Sequence, residues 1–181
     1  EFGSDGATKL SKLSHLEKLI MRHVSLRKLP DNFLGNFPNL THLDLYRNKI
    51  EHFTINAFQN LTKLKFLNMS ENYISNFPAP PFPPATLKSL IKFDFANNSF
   101  QCDCEIVKLQ KWIDNVLSDP DKHNLFSGYP DEYRCHKPDS LYHVLLKNAE
   151  PNNCKNSYDQ LVLSVVCSAI ICLVFTVVLV V

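Results

Sequence analysis

Cysteine is the residue type in this chain whose chemistry is easiest to anticipate, and its six copies form two groups. One group lies in mixed polar sequence, and the other lies in an uninterrupted apolar stretch at the C-terminal end. Thiols bind metal ions or form disulfides, depending on their spacing and on the compartment. The first group is Cys102, Cys104, Cys135 and Cys154, and the second is Cys167 and Cys172.

Zinc binding and disulfide bonding are the two alternatives for the first group. A zinc site needs four ligands at knuckle-like spacing, and Cys102-Asp-Cys104 is tighter than the usual pair. The additional candidate ligands His123, His136 and His143 have no characteristic spacing. In an exported chain an even set of cysteines favours disulfides, for which four cysteines allow three pairings. Because cysteines one residue apart rarely bond to each other, two pairings stay open, and no cofactor is expected.

Catalytic chemistry is not indicated by the other reactive side chains. No Ser, His or Asp lies in a nucleophile elbow, a glycine-rich loop or an HExxH motif. Four glycines provide little for a phosphate cradle, and a formal net charge of +1 without a basic arm gives no indication of a nucleic-acid site. The sequence therefore predicts a binding protein and not an enzyme.

An eleven-residue pattern of apolar residues and asparagine recurs through the N-terminal half. Successive copies start 24, 24 and 26 residues apart, and the later three fit LxxLxLxxNxL, the signature of leucine-rich repeats. Each copy predicts a short strand that is followed by an asparagine whose amide bonds to neighbouring coils. The first copy has Val24 in place of this asparagine. The copies begin at Leu16, Leu40, Leu64 and Leu90, and the asparagines are Asn48, Asn72 and Asn98.

Two further segments have a predictable backbone. The proline-rich run Pro78–Pro84 predicts an extended polyproline segment that cannot be helical. Apolar spacing after the first cysteines predicts a helix over 105–117 whose start is capped by Asp103. Its predicted buried face is Ile106, Leu109, Trp112, Ile113, Val116 and Leu117.

The outward-facing residues of the predicted strands form two rows on the concave side. We interpret them as an ordinary solvated strand surface and predict no ligand pocket there. One row is Ile20, Asp44, Asn68 and Asp94, and the other is Lys18, His42, Phe66 and Lys92.

Four Asn-x-Ser/Thr sequons predict N-glycosylation and therefore export. One of them lies in a concave row, where a glycan would obstruct a face that repeat proteins often use for binding. The four asparagines are Asn39, Asn60, Asn68 and Asn97.

An uncharged run of 21 residues, Leu161–Val181, predicts a single transmembrane helix. At about 1.5 Å per residue it spans roughly 30 Å, the thickness of a hydrocarbon core. Small polar residues recur at every fourth position along it, which we interpret as a helix–helix contact stripe. The stripe is Ser164, Ser168, Cys172 and Thr176.

The repeats, the Cys-x-Cys cap with its tryptophan-bearing helix and the following span together resemble the membrane-proximal end of a Toll-like receptor. In that family the first and third cap cysteines pair, as do the second and fourth, which implies Cys102–Cys135 and Cys104–Cys154 bonds. The resemblance also implies an innate immune pattern-recognition receptor that senses microbial products and signals by homo- or heterodimerisation with another receptor chain. The alternative is a leucine-rich repeat adhesion or co-receptor protein, which shares the same modules.

The predicted fold is an α/β leucine-rich repeat solenoid with a disulfide-bonded C-terminal cap and one transmembrane α-helix. Sequons and cysteines precede the span, so we expect a single-pass type I membrane protein with an extracellular or lumenal N-terminus. We expect the natural chain to continue at both ends, with a microbial ligand bound by repeats further upstream. The predicted divisions are a cloning remnant at 1–8, repeats at 9–100, the cap at 101–155, a linker at 156–160 and the membrane helix at 161–181.

Overall fold

The computed structural model describes residues 13–31, 33–151 and 154. The chain divides into two compact units, Glu1–Pro151 and Asn152–Val181, and the description that follows concerns the first. Within the described residues no helix is both long enough and apolar enough to cross a membrane. The predicted membrane helix and its stripe of Ser164, Ser168, Cys172 and Thr176 lie outside the described residues.

The repeats form a parallel sheet with one three-residue strand per repeat and the order β1-β2-β3-β4. Pairing places Ile20, Asp44, Asn68 and Asp94 in one row, and Lys18, His42, Phe66 and Lys92 in the other. The register predicted from the repeat spacing is thus confirmed. The strands are β1 Lys18–Ile20, β2 His42–Asp44, β3 Phe66–Asn68 and β4 Lys92–Asp94.

Short helical segments form the opposite side of the coils and the cap. Two segments are α-helices, α1 at Pro84–Ser89 and α2 at Ile106–Leu117. The prediction of a non-helical run through Pro84 was wrong at its last residue, because proline is well tolerated in the first turn, where its missing N–H has no intrahelical partner. The 3₁₀ helices are Leu34–Asn36, Ile55–Phe58, Asp139–Leu141 and Leu146–Asn148.

The asparagine ladder connects consecutive coils through the backbone. The Asn72 amide nitrogen donates to the carbonyls of Met69 at 3.0 Å and Leu45 at 3.1 Å. Its Oδ1 accepts a hydrogen bond from the Ile50 N–H at 3.0 Å. Asn48 and Asn98 make the equivalent bonds to their own and the preceding coil. Because these groups are buried, each bond replaces one that water would otherwise supply.

The cap begins directly after the last repeat and extends its sheet. Leu125 and Ser127 bond to the backbone of Phe93 in β4 through N–H···O distances of 2.7 and 3.0 Å. The predicted helix is present as α2, one residue shorter at its start. The prediction that Asp103 caps this start was wrong: Glu105 is the N-cap residue and makes no side-chain capping bond, and the Asp103 carboxylate accepts from the Glu105 N–H at 2.9 Å instead. The cap thereby covers the end of the repeat core, as repeat arrays require.

Candidate functional site

Disulfide bonds stabilise the cap. Cys102 and Cys135 are bonded with an S–S distance of 1.98 Å across 33 residues of sequence. Both are buried, with 0% and 2% of their surface exposed. Cys104 and Cys154 are also in the disulfide-bonded state. Over residues 13–31, 33–151 and 154, no group of three or more potential metal ligands is brought together.

A shallow depression of about 280 Å³ lies on the concave face of the sheet. The two outward-facing rows of strand residues form its floor, and Ser127 of the cap forms part of its border. Both predicted rows therefore line a depression, although we predicted no ligand pocket there from the sequence.

An aromatic pair lies at the centre of this depression. The rings of His42 and Phe66 are stacked, with centroids 4.5 Å apart and an angle of 20° between planes. The Thr41 hydroxyl lies 2.8 Å from His42 Nδ1. Phe66 nevertheless leaves 37% of its surface exposed. The repeat spacing of 24 residues between these two rings was the sequence signal that could have identified the pair.

Carboxylate and amide side chains at the strand ends bond to the backbone two residues further on. Oδ1 of Asp44 accepts from Tyr46 N at 3.1 Å, and Oδ1 of Asn68 accepts from Ser70 N at 3.0 Å. Oδ1 of Asp94 accepts from the Ala96 N–H at 3.0 Å. This recurring Asx turn orients the row and fixes the direction of each side chain.

Charge on the concave face is partly neutralised within the fold. Arg22 forms an ion pair with Asp44 at 2.5 Å. Asp94 is half-buried, and loss of solvation raises the pKa of its carboxyl above the usual value, with Glu132 adding repulsion. Lys92 donates to the Asn124 carbonyl at 2.8 Å. The depression thus combines one partly desolvated carboxyl with an exposed aromatic ring.

The four sequons occupy different environments. The Nδ2 amide of Asn39 donates to the Ser14 carbonyl at 2.9 Å, and its Oδ1 accepts from Lys63 Nζ at 2.6 Å. Asn60 and Asn97 are exposed at turns, with φ angles of 70° and 53°. Asn68 lies in the concave depression. Only the last of these positions adjoins the exposed aromatic pair among the described residues.

A polar network on the edge beside the strands was not anticipated from sequence. The Tyr46 hydroxyl donates to Glu71 Oε1 at 3.0 Å, and the Arg22 guanidinium lies 5.9 Å from the centre of the Tyr46 ring. His23 meets the same ring edge-on at 5.7 Å. These residues follow the strand in successive repeats, and so the 24-residue spacing again contains the signal.

Comparison with known proteins agrees with this geometry. Residues 14–74 match the family model described as leucine rich repeat. Human Toll-like receptor 1 is 25% identical over 160 residues, which cover 88% of this chain and 16% of the receptor. Mouse trophoblast glycoprotein is 28% identical over 106 residues, which cover 59% of this chain and 25% of that protein.

Solved structures share the fold. The chain superposes on the complex of latrophilin 3, Unc5D and FLRT2 with a TM-score of 0.61 and 24% identity, covering 82% of this chain and 41% of the matched one. The described chain therefore has a leucine-rich repeat fold with a disulfide-bonded C-terminal cap. Its relatives include receptors and the trophoblast glycoprotein, and it spans a quarter or less of the length of the first curated relatives.

Proposed function

We propose that this chain is a fragment of a single-pass innate immune pattern-recognition receptor of the Toll-like type, with its repeats and cap on the extracellular or lumenal side. The supporting observation is the breadth of the similarity. The alignment to human Toll-like receptor 1 covers 88% of this chain, whereas that to mouse trophoblast glycoprotein covers 59%. A span of 88% is too long to exclude the cap, so the similarity is not confined to the generic repeats.

In this proposal the chain supplies the membrane-proximal closure of the receptor. The cap ends the repeat core with a buried disulfide between Cys102 and Cys135. Microbial products are bound by repeats upstream, and signalling follows dimerisation with a second receptor chain. The predicted membrane helix anchors the protein, with the predicted stripe from Ser164 to Thr176 as its helix contact. Sequon glycosylation and a Cys104–Cys154 bond complete the extracellular part.

A leucine-rich repeat adhesion protein or co-receptor is the second candidate. It is favoured by the similarity to trophoblast glycoprotein and by the shared fold with the solved complex that contains FLRT2, latrophilin 3 and Unc5D. In this alternative the partner is another cell-surface protein instead of a microbial product. Neither candidate requires catalytic residues.

The decisive experiment is sequencing of the transcript beyond the codon for Val181. A Toll/interleukin-1-receptor signalling domain is expected there if the proposal is correct. A short tail without a signalling domain would contradict it and favour the adhesion protein. In parallel, a tag inserted before Leu13 should bind antibody on intact cells, because both candidates place this end outside the cytoplasm.

A further inference from the structure

We propose that Asn68 carries an N-linked glycan whose first sugar lies in the concave depression and covers the exposed ring of Phe66. This inference rests on the proposed export of the chain, because the modification occurs only in the secretory pathway. It assigns a specific structural role to one of four sequons and closes the concave face of this segment to large ligands.

The backbone places Asn68 and Phe66 side by side. Both belong to β3 and are separated by one residue, so their side chains project from the same face of the sheet. The neighbouring strand brings His42 against the Phe66 ring, with ring centroids 4.5 Å apart. A sugar attached to Asn68 therefore starts at the border of an aromatic surface.

The amide of Asn68 is oriented for attachment. Its Oδ1 accepts two hydrogen bonds from Ser70, one from the N–H at 3.0 Å and one from the hydroxyl at 2.7 Å. Among the described residues no acceptor is bonded to its Nδ2, the atom that carries a glycan. Asn39 differs, because its Nδ2 is used in a bond to the Ser14 carbonyl at 2.9 Å.

The sequon of Asn68 differs from the other three in the exposure of a neighbouring phenylalanine ring. Each has a phenylalanine two residues before its asparagine. Three of these rings are completely buried at 0% exposure, whereas the ring before Asn68 is 37% exposed. The four rings are Phe37, Phe58, Phe66 and Phe95. Among these four sites, only Asn68 therefore has an exposed ring two residues before the asparagine that a sugar can cover.

The depression has room for this sugar. Its volume is about 280 Å³, close to the lower limit of about 300 Å³ for small-molecule sites. A hexosamine ring has an apolar face, and burial of apolar surface is favourable in proportion to the area covered. Stacking of that face on Phe66 would therefore hold the first sugar against the protein, while the rest of the glycan extends into solvent.

The test uses the full chain, supplied with a cleavable secretion signal and made in eukaryotic cells. Thr62→Ala and Ser99→Ala remove the sequons of Asn60 and Asn97 without altering the asparagines, which adopt positive φ angles. Glycopeptide mass spectrometry measures occupancy at Asn68. An endoglycosidase then trims the glycan to its first sugar, and hydroxyl-radical footprinting measures the reactivity of Phe66. Tyr73, which is 55% exposed, serves as the internal reference.

The comparator without glycan is Asn68→Asp, which preserves the Asx turn that Asp44 and Asp94 make in the same row. We expect Asn68 to be occupied, and Phe66 to react much more slowly in the trimmed glycoprotein than in the comparator, with Tyr73 unchanged. Equal Phe66 reactivity in the two, or an empty Asn68 in the parent chain while Asn60 and Asn97 are occupied, would overturn the inference and leave export intact. A parent chain with no glycan at any sequon would overturn both this inference and the proposed export.

Discussion

Tyr133 of the cap is hydrogen-bonded to the backbone of Phe95 in the last repeat, and the two rings are in contact. The Phe95 N–H donates to the Tyr133 hydroxyl at 3.4 Å, and the two rings meet edge-to-face with centroids 4.5 Å apart. The same hydroxyl donates to the Ser127 carbonyl at 2.7 Å. Burial raises the pKa of this hydroxyl far above its ordinary value, so it stays protonated and can donate throughout the accessible pH range. One buried side chain thus joins the cap to the repeats.

Removal of this hydroxyl should weaken the junction. Tyr133→Phe keeps the ring but leaves a backbone N–H and a backbone carbonyl without this partner, so we expect a loss of about 1–3 kcal/mol in the free energy of unfolding. Denaturant unfolding followed through the single tryptophan, Trp112, provides the measurement. Tyr142→Phe is the matched control at an exposed cap position and should change stability by less than about 0.5 kcal/mol. Equal effects of the two variants would contradict the assigned role.

The asparagine ladder predicts a comparable penalty. Asn72→Ala leaves the buried Ile50 N–H without its acceptor, whereas the Leu45 and Met69 carbonyls keep the amides of Asn48 and Asn98, so we expect destabilisation by about 1–3 kcal/mol. Val24 occupies the equivalent position of the first repeat but is exposed. Val24→Ala is therefore the control and should change stability by less than about 0.5 kcal/mol. Thermal unfolding of the two variants side by side tests the difference, and a mild effect at Asn72 would refute a structural role for the ladder.

The disulfides predict an order of reduction. The Cys102–Cys135 bond is buried, whereas Cys104 is exposed. Under mild reductant without denaturant we expect Cys104 and Cys154 to be alkylated first. Peptide mapping before reduction should recover the proposed Cys104–Cys154 pair. The double variant Cys102→Ala/Cys135→Ala should lose about 3–4 kcal/mol, the chain-entropy value for a loop of this length. Early labelling of Cys102 would contradict the expected order.

The sequence was sufficient to predict those features that depend on a fixed period. The repeat spacing predicted the strand register and the inward asparagines, because each coil must match its neighbour to bury a continuous core. It places Phe66 beside His42 on neighbouring strands, but the stacking of their rings depends on side-chain rotamers, which the repeat period does not determine. The hydrogen bond from Phe95 to Tyr133 spans 38 residues and depends on the path of the cap, for which the sequence contains no periodic signal.

The half-buried carboxyl of Asp94 predicts a dependence of stability on pH. Loss of solvation, reinforced by the carboxylates of Glu132 and Asp44, raises its pKa above the ordinary value of 3.8, although the hydrogen bond from the Ala96 N–H opposes the shift. A folded-state pKa above the unfolded one means that the folded protein binds the proton more tightly. The resulting contribution to stability is complete below about pH 3.8 and is lost as the pH rises through the raised pKa.

Asp94→Asn should therefore stabilise the protein at neutral pH, since an amide preserves the Oδ1 acceptor for Ala96 without the cost of a desolvated charge. Asparagine already occupies the equivalent position of the preceding repeat, at Asn68. The advantage over the parent protein should shrink as the pH falls toward 4, because the parent carboxyl then becomes neutral as well. Unfolding titrations at a series of pH values provide the measurement.

Asp44→Asn is the control from the same row: it breaks an exposed ion pair with Arg22 and should be neutral or destabilising by up to about 1 kcal/mol. If Asp94→Asn destabilised the protein at neutral pH as Asp44→Asn is expected to, the carboxylate of Asp94 would be a net favourable charge, and desolvation would not dominate its energetics.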